Sequence, residues 1–458
     1  MGERVQIPFG TKTAEPRSPA STSERLINWY VEKAPEKARY PLVLHPTPGL
    51  LLFATVGTGP IRGMLSFAGA LWVVSGPSLY VIDNNGVAIE VGAIGGSGHV
   101  YMIENGIHLG IATDGPSYAA NLDGIIPLPE GSFVGAAYQD GYGIFAKGGT
   151  ETFWITGIDD MTTIGALDFS STDAFADYLM GCVSDHRELW LFGRDTVEVW
   201  NNTGDAAFPF ARTQGGFIER GCAASASIAK ANNMVLWLGN DRNVYAAQGY
   251  QPQSMSPPEI ANIIEQQSDV SSCRATVYSQ GGHTFYPISF GGRTLALDLT
   301  TGAWHERSSG GSRWRAGTTA YQWEKTFAGD YENGNVYELS LSTHTDNGDP
   351  IIRQSVSAPI HVGGLRASMA SLEIEMEVGV GLVSGQGSDP EIMVDWSDDD
   401  GHTWSNQRVA KIGKAGERKT TVRINRLGSF RRRAIRITSS DPVPLHIVDA
   451  WADIEART

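Results

Sequence analysis

Short apolar runs, each bounded by Gly, Asn or Asp and most carrying an aromatic residue, recur along the first three quarters of the chain. They come in pairs: Gly69–Val74 with Leu79–Ile82, Gly106–Ala112 with Ser117–Ala119, Gly141–Ala146 with Thr152–Ile155, and Glu188–Phe192 with Val197–Trp200. Asn233–Leu238 with Val244–Ala246, Thr284–Ile288 with Thr294–Asp298, and Lys325–Ala328 with Asn335–Leu339 continue the series. Each pair reads as a β-hairpin, and successive pairs begin roughly 35 to 50 residues apart, the length of one four-stranded propeller blade. The pattern predicts an all-β chain with a β-propeller of about seven blades. Inner strands, covered on both faces, should be nearly continuous apolar runs, as Leu71–Val74 and Leu189–Phe192 are. Gly49–Ala54 has the length and hydrophobicity of an N-terminal strand that closes the last blade. A β-sandwich could present the same strands and stands as the alternative.

The pattern changes after Leu341. Thr343–Pro350 reads as a polar linker, and beyond it Leu372–Val378 and Thr421–Asn425 alternate with period two, one wet face and one dry, as in an antiparallel sandwich. The predicted organisation is an extended N-terminal arm over 1–40, a propeller over 41–342 and a smaller β-sandwich over 350–458. Within the arm, Thr11–Ser23 is polar and Pro-rich and is expected to order on assembly. Two short helices interrupt the strands. Ser256-Pro257-Pro258-Glu259 has capping-box spacing before Ile260, Ile263 and Ile264, and Asp173–Met180 places Phe175, Tyr178 and Leu179 on one face.

Charge narrows the partners. The net charge is −15 over 458 residues, with only 19% charged residues, 54 Gly and 12 Trp. Such a surface repels a duplex rather than gripping its phosphates. The one dense basic run, Arg431-Arg432-Arg433 with Arg426 and Arg436, alternates with Ile435 and Ile437 and reads as the outer face of a strand. Cys182, Cys222 and Cys273 are odd in number and far apart, so they are expected as buried free thiols. Neither a signal peptide nor an apolar stretch of membrane-spanning length is recognisable.

The motifs of common enzymes are missing: no Gly-x-Ser-x-Gly elbow, phosphate loop, His-Glu-x-x-His pair or EF-hand loop occurs. Ten histidines are scattered singly. Catalytic, cofactor-binding and metal-binding residues are each expected to be none, and no cofactor is implied. One motif does stand out. Ser397-Asp398-Asp399-Asp400-Gly401-His402-Thr403-Trp404 resembles the Asp-box of sialidases, in which Ser and Asp oxygens bond turn N–H groups, Gly takes a positive φ and Trp packs beneath the hairpin. A glycosidase also needs carboxylates flanking its substrate. Asp159-Asp160 and Asp398–Asp400 supply acids, but adjacent loop residues point apart and read as solvated turns. A propeller-type glycan hydrolase or carbohydrate-binding protein is therefore the alternative function.

The stretch Leu179–Tyr250 resembles the packaged-DNA stabilisation (tail hub, nozzle) proteins of short-tailed bacteriophages. The residues that carry the likeness are Glu188–Gly193, Glu198-Val199-Trp200, Thr203-Gly204, Phe208-Pro209-Phe210, Glu219–Ala223, Trp237-Leu238-Gly239, Val244-Tyr245 and Gly249-Tyr250. Asn28-Trp29-Tyr30 with Glu32, Thr47–Leu50 and Arg62-Gly63 are similar to that family's opening, and Leu427-Gly428-Ser429 with Arg431-Arg432 to its close. Where the family carries Ser-Thr before the short helix, this chain has Ser256-Pro257-Pro258. The resemblance implies a non-enzymatic virion protein in a homo-oligomeric, hexameric ring below the portal–adaptor ring, beside tail needle and fibre or spike proteins. Packaged DNA would pass through without specific binding and be retained until ejection. The implied location is the virion tail, after assembly in the host cytoplasm, with no membrane partner.

Overall fold

The computed structural model describes residues 3–7, 9–18, 24–35, 41–129, 131–172 and 177–457. Their strands form five separate four-stranded antiparallel sheets and two more whose edges run on into neighbouring strands, seven blades in all. The first blade is Ile61–Phe67, Ala70–Ser75, Ser78–Ile82 and Ala88–Ala93, and the others repeat its meander. The seventh, Ala316–Gln322, Lys325–Asp330 and Asn335–Ser340, takes its fourth strand from Gly49–Thr55, with Leu50 opposite Leu339. The ring is thus closed by a strand that precedes the first blade in sequence.

Why the middle strands are apolar at every position follows from where their side chains go. Alternate residues face opposite neighbours. In the first blade Leu71 and Val73 pack against the seventh, with Phe327 and Val336, while Trp72 and Val74 pack against the second, with Leu109 and Ile111. The fourth blade repeats this, Leu189 and Leu191 facing the third and Trp190 and Phe192 the fifth. Each large side chain so buried contributes about 1.5–3 kcal/mol. These runs, however, form the second strand of each blade and not the innermost. Four of the strands at the axis carry a glycine where they come closest to a neighbour, Gly63, Gly135, Gly181 and Gly317. A Cβ on Gly135 would lie 2.7 Å from the Cys182 backbone nitrogen, and one on Gly63 2.7 Å from the Val100 carbonyl oxygen.

The C-terminal sandwich has two sheets. One orders Trp29–Lys33, Leu42–Pro46, Ile447–Arg457, Arg366–Met376 and Val422–Phe430, and the other Arg353–Val356, Arg432–Ser439, Glu391–Ser397 and Arg408–Lys411. Leu372, Ile374, Ile424, Ile435 and Ile437 meet between them.

Several expectations need correction. The described residues among the first 40 do not form a free arm. Glu3–Gln6 pairs with Ile447–Arg457, and Ile7, Leu26, Trp29 and Val31 are buried in the sandwich core. Thr11–Ser18 packs along the rest of its own chain: the Thr13 N–H donates to the Trp304 carbonyl (2.7 Å), Lys12 pairs with Glu259 and Glu15 with Arg293. Residues 19–23 are outside the described set. The polar stretch after Leu341 is no simple linker, since Thr345–Asp346 and Asp349–Pro350 make a small hairpin beside Gly49–Thr55, with Asp346 buried. The helix Pro258–Glu265 forms and buries Ile260, Ile263 and Ile264, but without a capping box: Pro257 is its N-cap, and the Ser256 hydroxyl accepts from the Val244 N–H instead. Of the second expected helix, 173–176, including Phe175, lie outside the described residues, and Leu179–Asp185 is a strand.

Candidate functional site

The feature that organises the molecule is the seam between propeller and sandwich. Arg25–Ile27 pairs in parallel with the outer strand of the sixth blade, Trp304–Ser309, and antiparallel with Arg353–Val356 of the sandwich. One hydrogen-bonded sheet therefore crosses from domain to domain. The next three residues fasten it. Asn28, at φ 55°, donates through its side-chain amide to the carbonyls of Ser308 and Ile352 (both 2.8 Å) and accepts from the Ser308 N–H (2.9 Å). Trp29 is fully buried in the sandwich, its indole donating to the Leu445 carbonyl at 3.0 Å, while Tyr30 packs with Phe285 and Tyr337 of the propeller.

Charges seal the same seam. Glu306 is buried and accepts from Arg25 Nε (2.8 Å) and Nη2 (3.0 Å) and from Arg293 Nε (2.8 Å). Burial alone would raise its pKa; the two guanidiniums outweigh that and hold it below the usual value. Arg307, also buried, donates to the Tyr278 hydroxyl (2.7 Å) and the Pro48 carbonyl (3.2 Å) and lies 4.0 Å above the Trp314 ring. Across the seam Asp346 and Arg353 are buried together; burial pushes the Asp346 carboxyl up and brings the Arg353 guanidinium down to about 10. Arg25, Arg293, Glu306 and Arg353 were missed in the sequence. Their one legible trace is Trp304-His305-Glu306-Arg307, a strand whose polar residues fall on both faces and so cannot all meet water.

The propeller axis is narrow. The first strands of the blades converge on a cavity of about 240 Å³ lined by Gly63, Tyr101, Gly135, Cys182, Thr276 and Thr318, among others. Burial raises the Cys182 thiol to about 12 and the Cys222 thiol to about 11, and all three cysteines are buried and unpaired.

The acids singled out in the sequence are engaged in turns. Asp160 accepts from the Thr162 N–H (2.8 Å), the Thr162 hydroxyl (2.6 Å) and the Thr163 hydroxyl (2.7 Å). In the Asp-box turn Ser397 Oγ accepts from the Gly401 N–H (2.8 Å), and Asp399 accepts from the Thr403 N–H (2.8 Å) and hydroxyl (2.6 Å). Those bonds, the Thr403 hydroxyl foremost, pull Asp399 down to about 2. The flanking acids meet the basic run: Asp398 makes a bidentate pair with Arg433 (2.8 Å to each oxygen), Asp400 pairs with Arg432 (2.8 Å), and Arg436 pairs with Asp395 while stacking 4.0 Å above Trp404. The run is therefore not simply the outer face of a strand. Arg433 is 1% exposed and turned inward between Trp396 and Phe430, because a guanidinium with a bidentate carboxylate and two rings is better placed there than in water. Among the described residues no three His, Cys, Asp or Glu side chains gather as metal ligands.

These features define a class: a seven-bladed propeller locked by a shared sheet to a β-sandwich. The family described as bacteriophage P22 Gp10, β-propeller, matches residues 25–344, and that described as bacteriophage P22 Gp10, β-sandwich, matches residues 353–455. The chain belongs to the P22 Gp10 family of bacteriophage tail stabilisation proteins. No curated protein matches it. Among solved structures it is similar to PorZ of Porphyromonas gingivalis, a surface component of the type-IX secretion system (12% identity, 78% of this chain, TM-score 0.42), and spans 46% of that chain. It is also similar to the Pan2 WD40 domain of Neurospora crassa (10% identity, 64% of this chain and 96% of that one, TM-score 0.44).

Proposed function

We propose that the chain is a non-enzymatic subunit of the tail hub or nozzle, assembled as a ring, six copies in our reading, below the portal–adaptor ring. The ring continues the DNA channel, helps retain packaged DNA until ejection, and meets needle and fibre or spike proteins at its rim. Subunits fold in the host cytoplasm and act in the virion tail.

The observation that carries this reading is the narrow axis. A cavity of about 240 Å³ ringed by the first strands of the blades is too small to pass a duplex, whose major groove alone is about 12 Å wide. In this reading the channel for DNA lies between copies, as a closed ring would provide. The acidic balance of −15 suits a lumen that DNA traverses without adhering. The shared sheet and the buried Asn28 and Trp29 suit a part that transmits force without hinging. The Asp-box turn serves here as a brace for its hairpin.

The test is electron cryo-microscopy of virions or reconstituted tails containing the protein. A cyclic oligomer with DNA density on the ring axis, outside every propeller, is expected. A lone copy in the particle, or glycan hydrolysis by the purified chain, would overturn the reading.

A further inference from the structure

One mouth of the propeller axis holds a charge that the fold leaves without a partner. Arg274 opens the first strand of the sixth blade and lines a cavity of about 280 Å³ with Gly98, His99, Tyr101, Asp114 and Ser225. Its guanidinium makes no hydrogen bond or ion pair to any described residue. It is close enough to Arg62, His99 and Arg313 to oppose their charged forms. Burial first, then Arg274 and Arg62, brings His99 down to about 3, so the imidazole stays neutral rather than adding a fourth positive charge.

The neighbours have no spare negative charge. Asp114 is the one carboxylate among the described residues lining the cavity, and it accepts from the Ser97 and Gly98 N–H groups (2.9 and 3.1 Å) and lies 3.6 Å from Arg62. Arg62 is spent on the carbonyls of Gly98, Gly76 and Gly95 at 2.8, 3.0 and 3.1 Å. Arg313 stacks 3.8 Å above the Tyr331 ring with Nε and Nη2 buried and unpartnered. Arg274 is only partly buried, so its guanidinium donors face the cavity and remain free to meet a ligand, and in a chain of net charge −15 it is positive charge that no neighbouring carboxylate offsets.

We propose that this axial mouth binds a phosphate-class oxyanion, with Arg274 as its charge-bearing ligand. A guanidinium presents two parallel N–H donors to such an anion, and the cavity is several times the volume of a water molecule. The inference goes beyond the tail-hub reading and holds whether or not the chain forms a ring. The oxyanion is either free phosphate or a phosphate of a nucleic-acid strand end.

Calorimetric titration of the full chain with inorganic phosphate at low ionic strength is the test. One saturable site is expected, with a higher melting temperature in phosphate than in chloride of equal ionic strength. Arg274→Gln should bind at least tenfold more weakly and, in chloride, melt no lower than wild type, since it removes an unpaired charge. Arg274→Lys should retain part of the affinity. Absence of saturable binding to wild type, equal stabilisation by chloride, or undiminished binding by Arg274→Gln would each overturn the site, the first two without recourse to any variant. A short single-stranded oligonucleotide then separates the sources: competition with phosphate assigns the site to a strand phosphate, and lack of competition to the free anion, either result upholding the site.

Discussion

Gly135 and Asn28 show how much a single side chain decides in this molecule. Gly135 faces the Cys182 backbone at the axis with no room for a Cβ, whereas Gly291, in a turn of the sixth blade, has nothing within 4 Å. We expect Gly135→Ala to lose about 2–3 kcal/mol through overpacking and Gly291→Ala to stay within about 0.5 kcal/mol of wild type. Denaturant melts of the two side by side check this, and equal stabilities would contradict the crowded axis. Asn28 joins two domains with one amide and holds a left-handed backbone. Asn28→Ala should cost about 3 kcal/mol, from unmet carbonyls and left-handed strain together, and Asn28→Gly about 1 kcal/mol less because it relieves the strain alone. If the two variants melt alike, the strain component is wrong.

At the scale of strands and hairpins, the Asp-box turn is held from below by the strand that carries Arg432, Arg433 and Arg436. Arg433→Ala should destabilise the sandwich by about 3–5 kcal/mol, and Arg433→Lys should rescue little, because an ammonium offers neither the bidentate fork nor the flat face that lies between Trp396 and Phe430. Thermal melting of both variants tests it; a lysine variant as stable as wild type would remove the geometric argument. This pairing was half legible in the sequence. The Asp-box pattern showed because its bonds are local, within four residues, but Asp398 and Arg433 are 35 residues apart and nothing in either segment names the other. The same division runs through the fold. Blade hairpins were readable because two-sided burial writes continuous apolar runs such as Leu71–Val74. The innermost strands were harder to read, since Gly63, Gly135, Gly181 and Gly317 interrupt them and glycine is a turn signal. Arg25–Ile27 is too short for any period, and its place depends on two strands from separate domains.

For the molecule as a whole, the seam between propeller and sandwich is where pH should act. Burial, with smaller contributions from Arg307 among its neighbours, brings His305 down to about 3, and burial with Arg353 and His446 brings His344 to about 4. His45 and His446, whose rings stand 4.8 Å apart, are lowered chiefly by burial as well. Each imidazole is thus kept neutral when folded but can protonate near pH 6.5 when unfolded. Between those values the unfolded chain binds more protons, so the stabilisation is complete above about pH 6.5 and is lost progressively as pH falls towards 3–4. Glu306, depressed by Arg25 and Arg293, adds a loss in the same direction below its unfolded value. The seam should therefore loosen before the blades do, because the inter-blade clusters are overwhelmingly apolar and carry few groups that titrate in this range. Hydrogen exchange at pH 7.5 and pH 5 should show protection falling first in Arg25–Ile27 and Arg353–Val356, ahead of Leu71–Val74 and Leu189–Phe192. Replacing His305 and His344 with Gln should flatten the fall in melting temperature between those two pH values. Uniform loss of protection across blades and seam, or an unchanged slope in the double variant, would show that the domains are not joined through a histidine-lined, water-poor contact.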